Sequence, residues 1–318
     1  MKKKILLIML AVSLLVIAAC TTENGPSTGP GFVGGTRGVE IEFMTNTPPD
    51  RVADQGQESF DVVLELTNRG EHEVLREDAF VKLEGFSATA FGKTPEQLIA
   101  YPDDDLYAVR KNPDGSVSPP VKIPVVFEGF SYQGDVPANM PFTFRAKLCY
   151  KYETIALSNL CVKENFNDDR PGDVCQVTGT KQVSNSGAPV QVTNVRQSAV
   201  GRDRTAITFS VQKRDTDQKG KVSRPDTGCD VQYQNENRVF VSVSGILENP
   251  GDLINCPALR EGDSSSGYVQ ISATQPTEVY CTITLTDRST RTQPFRITLG
   301  YDYSTHLDKE VVVVYTPD

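Results

Sequence analysis

The chain has no tryptophan and only two histidines, His72 and His306, in 318 residues. Without indole rings it lacks a stacking platform for sugars, so a glycosidase pair is disfavoured although Asp and Glu are abundant. With two imidazoles a zinc centre is poorly supplied, and a Ser-His-Asp triad would have to use one of them; no GxSxG sequence occurs. Basic side chains are the minority, 32 against 41 acidic, for a formal charge of −9. No Lys/Arg cluster of the size that nucleic acid requires stands in the sequence, and the acidic balance repels phosphate backbones. Nucleic acid is therefore not an expected partner. Sustained helical periodicity and strand–helix alternation are both missing, which disfavours doubly wound and barrel enzyme folds. No Asn-x-Ser/Thr sequon with a permitted middle residue is present, so N-glycosylation of that kind is not indicated.

The apolar run that does exist comes first. "MKKK" is a positive leader, and "ILLIMLAVSLLVIAA" is 15 apolar or small residues, short for a spanning helix and suited to a signal peptide over 1–19. "IAAC" follows and resembles the lipobox of prokaryotic lipoproteins, which implies that Cys20 carries lipid and becomes the N-terminus after cleavage. The other reading is an uncleaved signal anchor with an incidental cysteine. Either one places the chain on the extracytoplasmic face of the cell membrane. Without residues 1–19 the charge becomes −12, from 29 basic and 41 acidic side chains. Residues 20–36, with "TTENGPSTGPGFVGGT" after the cysteine, have little to bury and read as a flexible linker.

Beyond it, strand periodicity dominates. "ESFDVVLELTNRG" puts Phe60, Val62, Leu64 and Leu66 on one face. "PFTFRAKLCYKY" does the same with Phe142, Phe144, Ala146, Leu148, Tyr150 and Tyr152. "TPEQLIAY" is the one good helix signal, a capping box from Thr94 to Gln97 with about two turns to follow. The polar segment 163–173 marks a boundary, and seven short strands follow it, ending in "PFRITLGYDY" and "EVVVVY". The expected fold is all-β: two tandem Ig-like antiparallel sandwiches, over 37–165 and 174–318, after the signal peptide and linker.

Seven cysteines are an odd number, and lipid on Cys20 leaves six: Cys149, Cys161, Cys175, Cys229, Cys256 and Cys281. In an oxidising compartment these suggest three disulfides. If residues 142–162 formed one hairpin turning near Ile155, Cys149 would lie opposite Cys161 with the apolar residues in register. Three connectivities remain for the other four. Cys256–Cys281 is favoured because both belong to one segment, which leaves Cys175–Cys229.

At "FDVVLELTNRGEHEV" the chain resembles a CARDB-type or related Ig-like module, whose strand ends in an Asn-x-Gly turn, here Asn68 to Gly70. "VEIEFMTNTPPDRV", "LEGFSATAFG", "LCYKYET" with "LCV", and "LGYDYS" are similar to a group of archaeal membrane-anchored surface proteins. These pieces run through most of residues 38–303. The resemblance implies two β-sandwiches on a tether and carries over no catalytic residue. "SVQKRDTDQKG" departs from the Asn-x-Gly pattern, so the second half resembles the module less.

Three near-motifs fail on chemistry. "HEVLR" begins like a zinc-protease HExxH, but Arg76 replaces the second ligand. "SATAFGKT" ends like a phosphate-binding loop, yet Ser87 stands at the first glycine position and no long helix follows Lys93. Asp103, Asp104 and Asp105, or Asp168, Asp169 and Asp173, have the oxygens that calcium takes, but such runs more often form solvated turns. The expectation is a non-enzymatic, lipid-anchored surface protein for adhesion, support or docking, with no cofactor or metal. Its partner would be an envelope protein or glycan, met through loops such as 87–118. The alternatives are an exported carbohydrate-active hydrolase or carbohydrate-binding accessory, and a calcium-dependent binding module.

Overall fold

Residues 140–162 alternate apolar and polar for more than twenty positions, with no glycine to break the run and a single proline, Pro141, at its start. In the computed structural model they form one continuous strand. That model describes residues 31–317 apart from 169, 171, 230–231, 248 and 273–274; the expected signal peptide and Cys20 lie outside the described residues. The strand Met140–Val162 pairs antiparallel with Arg291–Val314, from Arg291 opposite Val162 to Val313 opposite Met140, without a register shift. At the usual rise per residue this two-stranded spine is roughly 75 Å long. The hairpin expected to turn near Ile155 does not form, since Ile155 sits mid-ladder opposite Thr298. Its neighbourhood, "YETIALSN", has no residue suited to a tight turn, while the buried face continues unbroken through Thr154, Ala156, Ser158, Leu160 and Val162. "PFRITLGYDY" and "EVVVVY", expected as two strands, are likewise one.

Among the described residues seventeen strands, numbered in chain order, make three sheets. The first has three strands in the order β1 (Val39–Phe43), β3 (Phe60–Asn68) and β6 (Lys122–Phe130). The second has five: β14 (Leu253–Asn255), β16 (Thr277–Thr284), β11 (Arg204–Lys213), β10 (Val190–Ala199) and β8 (Gly179–Thr180). The third has nine and runs β15 (Ser266–Gln270), β13 (Arg238–Ser244), β17 (Arg291–Val314), β7 (Met140–Val162), β4 (Ala79–Glu84), β5 (Ile99–Ala100). In the same sheet β2 (Arg51–Ala53) and β12 (Lys221–Ser223) pair with β17, and β9 (Val183–Asn185) pairs with β7. The nine-stranded sheet therefore takes strands from both sides of the expected boundary at 163–173, and Phe32–Asp318 is one compact unit. Among the described residues helical structure is limited to three 3-10 turns, and no helix is long and apolar enough to cross a membrane. The expected two-turn helix is one of these short turns, Glu96–Leu98. Half of its capping box survives, with the Thr94 N–H donating to Gln97 Oε1 at 2.9 Å. Ile99 and Ala100 then leave it to pair with β4.

The two smaller sheets cover one face of the spine. Phe60 of β3 and Phe130 of β6 pack against Phe144 of β7, with centroids 6.1 and 6.0 Å away. Farther along, Gln197 of β10 closes two hydrogen bonds with the backbone of Cys161. Where the small sheets meet, four buried tyrosines form a square on the spine: Tyr150 lies opposite Tyr303 and Tyr152 opposite Tyr301. These are the tyrosines of "LCYKYET" and "LGYDYS". Each hydroxyl holds a different piece of the covering layer. Tyr150 accepts from the Val39 N–H (3.1 Å), and Tyr152 donates to the Gly187 carbonyl (3.0 Å). Tyr301 accepts from the Val190 N–H (3.3 Å), and Tyr303 donates to Asp215 (2.9 Å). The Asn-x-Gly turn belongs to this junction. Asn68 accepts from the Gly70 N–H and donates to the His72 and Leu106 carbonyls. Glu71 accepts from the N–H groups of Val33, Gly34 and Gly187, which fastens the end of the linker to the fold.

Three disulfides are present, and two of the expected pairings are corrected. Cys149 pairs with Cys229, Cys161 with Cys175, and Cys256 with Cys281; only the last is as expected. Cys149 and Cys161 are twelve residues apart on one extended strand, roughly 40 Å, far beyond the Cα separation that a disulfide spans. Both point away from the covering sheets, and each meets a loop that folds back over the open face. The Cys229 loop is held by buried Asp302, which accepts from the N–H groups of Asp226, Thr227 and Cys229. The Cys175 loop is held by Lys163, whose ammonium reaches Asp173 at 2.7 Å.

A Cβ at Gly70 would overlap the Tyr152 hydroxyl and lie 2.6 Å from the Gly187 carbonyl oxygen. Gly70→Ala should therefore lower unfolding stability by about 1–3 kcal/mol in denaturant melts. Gly201→Ala, whose nearest neighbour is 3.5 Å away, should leave it within about 0.5 kcal/mol of wild type.

Candidate functional site

Beside the tyrosine square the covering layer parts, leaving an open cleft of about 560 Å³. One wall is Arg37–Glu42, running into and along β1, and the other is the turn Asp215–Lys219 after β11. Tyr150, Tyr303, Thr305 and Leu307 of the spine form the floor. A Cβ at Gly38 would strike the Tyr150 hydroxyl, and one at Gly220 the Tyr303 hydroxyl, so small residues are required where these walls approach the floor.

Strand β1 is the edge of its sheet. Its ladder with β3 uses even-numbered residues, because Arg69 N–H donates to the Gly38 carbonyl and Met44 N–H to the Val63 carbonyl. The alternation of antiparallel pairing then directs the backbone groups of Val39 and Ile41 to the open side. The Val39 N–H is taken by Tyr150. The N–H and C=O of Ile41 face the cleft.

The opposite wall is a polar knot. Asp215 accepts from the Tyr303 hydroxyl at 2.9 Å, faces the Lys213 ammonium at 3.2 Å and accepts from the Asp217 N–H at 2.9 Å. Asp217 accepts from the Thr305 hydroxyl and the Lys219 N–H. Burial raises the Asp215 carboxyl above its ordinary range, with Lys213 and the Tyr303 hydroxyl pulling the other way. Burial also raises the Tyr303 phenol, and the nearby Asp215 charge adds to this. Across the cleft, Glu40 is held by Arg37 at 3.1 Å and Arg69 at 2.7 Å. Asp215 and Glu40 are thus each engaged by a cation of the chain itself, an arrangement suited to presenting a polar surface.

The residues of the rejected motifs have other work. His72 packs edge-on against Tyr152 at 5.1 Å, and burial lowers its pKa. Lys93 lies over the Phe130 ring at 5.2 Å. Asp105 accepts from the Arg76 N–H, and Asp104 from the Tyr107 hydroxyl. Asp173 is bound to Lys163 and Asp168 to Arg170; Asp169 lies outside the described residues. Among those residues no group of three or more His, Cys, Asp or Glu is placed to hold a metal ion. The Asp215 wall lies within "SVQKRDTDQKG", whose departure from the Asn-x-Gly pattern is the one signal that marks it in the sequence.

Asp215 holds its proton more tightly in the folded chain than in the unfolded one. Its contribution to stability therefore falls as pH rises from the ordinary aspartate range through its raised folded value. The stability advantage of wild type over Asp215→Asn should shrink as pH rises above about 4, the ordinary aspartate range, and level off once the folded carboxyl has ionised. A difference that stays constant across that window in denaturant melts would mean an unperturbed carboxyl.

No protein-family model matches the chain, and no curated protein matches it.

Proposed function

We propose that the protein is a non-enzymatic docking module of the cell surface, tethered through lipid on Cys20. It takes an extended segment of another envelope protein along the open edge of β1. The observation that carries this reading is the placement of the Ile41 N–H and C=O on a cleft wall that has no strand beside it. Unpaired backbone groups of this kind are a template for strand addition, in which main-chain hydrogen bonds supply affinity and flanking pockets supply selectivity. The engaged carboxylates of Glu40 and Asp215 support docking over hydrolysis. The three disulfides suit an oxidising exterior.

Two measurements test it. Intact-mass analysis of the protein purified from its own membranes should show acyl chains on Cys20 and six hydrogens fewer than the reduced form. A mass that fits an unmodified N-terminus retaining residues 1–19 would remove the lipid tether. Ile41→Pro deletes the outward N–H and leaves the β1–β3 ladder intact, whereas Ile41→Val keeps that N–H. Partners cross-linked to wild type in the envelope should be retained by Ile41→Val and lost by Ile41→Pro, with melting curves showing both variants folded. Equal recovery by the two variants would refute docking along this edge.

A further inference from the structure

On the opposite face of the spine, the register assembles cations that the sequence keeps apart. Lys82 on β4 lies opposite Lys147 on β7, and Lys147 lies opposite His306 on β17. Lys221 of β12 pairs with Ser304. Lys219, in the turn before β12, lines the same groove as His306; burial, then the charges of Arg145 and Lys219, lower the imidazole's pKa, while Asp308 and Asp217 act the other way. The result is one row of three ammonium groups and an imidazole, Lys82–Lys147–His306–Lys219, on β4, β7, β17 and the turn before β12, flanked by Arg145 and Lys221. A groove of about 180 Å³ runs between Arg145 and Lys147 on one side and Lys219 and Lys221 on the other.

Like charges directly opposite on a sheet destabilise it, and this row places Lys82 and Lys147 so. The chain has acidic side chains in excess, yet among the described residues no ion pair is formed by Lys82, Lys147, Lys219 or Lys221. Of the carboxylates around the groove, Glu84 lines it, Asp308 is bound by Arg145 in a two-point contact at 2.8 and 3.0 Å, and Asp217 is held by the Thr305 hydroxyl. The covering sheets lie on the other face, so the row does nothing for the core.

We infer that this groove binds an acidic glycan, a chain of sugars carrying carboxylate groups. Strands stand roughly 4.8 Å apart, close to the length of one sugar ring, so a chain laid across the sheet meets one ammonium or imidazole donor per ring over about 14 Å. The recess between two lysine-bearing rims accepts a narrow polymer in preference to a flat bilayer. Charge without indole platforms suits this class of sugar, since ion pairing takes the part that stacking would play on a neutral one. The site adjoins the docking cleft, sharing Lys219, Thr305 and His306 with it, but it does not use the Ile41 edge of β1 and does not rest on strand docking.

The test uses the full lipoprotein in detergent and polygalacturonate as probe, with neutral dextran and vesicles containing phosphatidylglycerol alongside. Wild type should bind polygalacturonate, ignore dextran, and lose affinity steadily as salt is raised. Lys147→Glu combined with Lys221→Glu should weaken binding by about tenfold or more, and the milder Lys147→Gln by a smaller factor. Lys111→Glu, on an exposed loop elsewhere, and Ile41→Pro should bind as wild type does. Undiminished binding by the double variant, no binding by wild type, or binding to the vesicles but not to the polymer would each overturn the assignment.

Discussion

Everything in this fold depends on one ladder, the shift-free pairing of β7 with β17. Its inner face supplies Phe144, Leu148, Leu160, Leu299 and Val311 to a single apolar core, and both covering sheets rest on that face. Burial of a continuous strip of this kind is the dominant favourable term in folding. A one-residue slip would turn every one of these side chains to solvent, so the register is held along the whole length at once. The tyrosine square sits at the midpoint, where the covering layer is divided. Its hydroxyls satisfy backbone groups of β1, of the turn after β3 and of the start of β10, which a purely apolar floor would leave unpaired.

Much of this was legible in the residues. The all-β class followed from the alternation, and "FDVVLELTN", "TAITFSV" and "RVFVSVS" are strands because their apolar residues recur every second position. Cys256–Cys281 was readable from chain proximity. What could not be read was the partner of a long strand. Residues 142–162 satisfy a hairpin and a through-strand equally well, because both place alternate residues on one face. Only pairing with Arg291–Val314, more than a hundred residues away in sequence, distinguishes them, and that choice carried the fates of Cys149 and Cys161 with it. The resemblance motifs marked the right places for a reason that periodicity does not supply, since their tyrosines and the Asn68–Gly70 turn meet at a single junction.

The two surfaces differ in how far the sequence discloses them. The cleft combines a strand edge with a turn from the other half of the chain, and its polar knot depends on Tyr303 reaching Asp215. The cation row is still more hidden. Its members come from three strands and a turn scattered between residues 82 and 306, so no window of sequence contains a basic run. In a sheet, local charge is set by the order of strands, and an acidic chain can present a basic strip.

The order of strands also bears on how the chain reaches its final form. As residues emerge from the N-terminus onward, β7 is complete by Val162, yet its neighbour β17 is the last strand to arrive. Until then the central strand has a bare flank along its entire length, and neither covering sheet has a finished floor. Nothing resembling half of this protein can close early. Assembly waits for the final two dozen residues of the ladder, and an interrupted chain would leave a long adhesive flank instead of a smaller working piece.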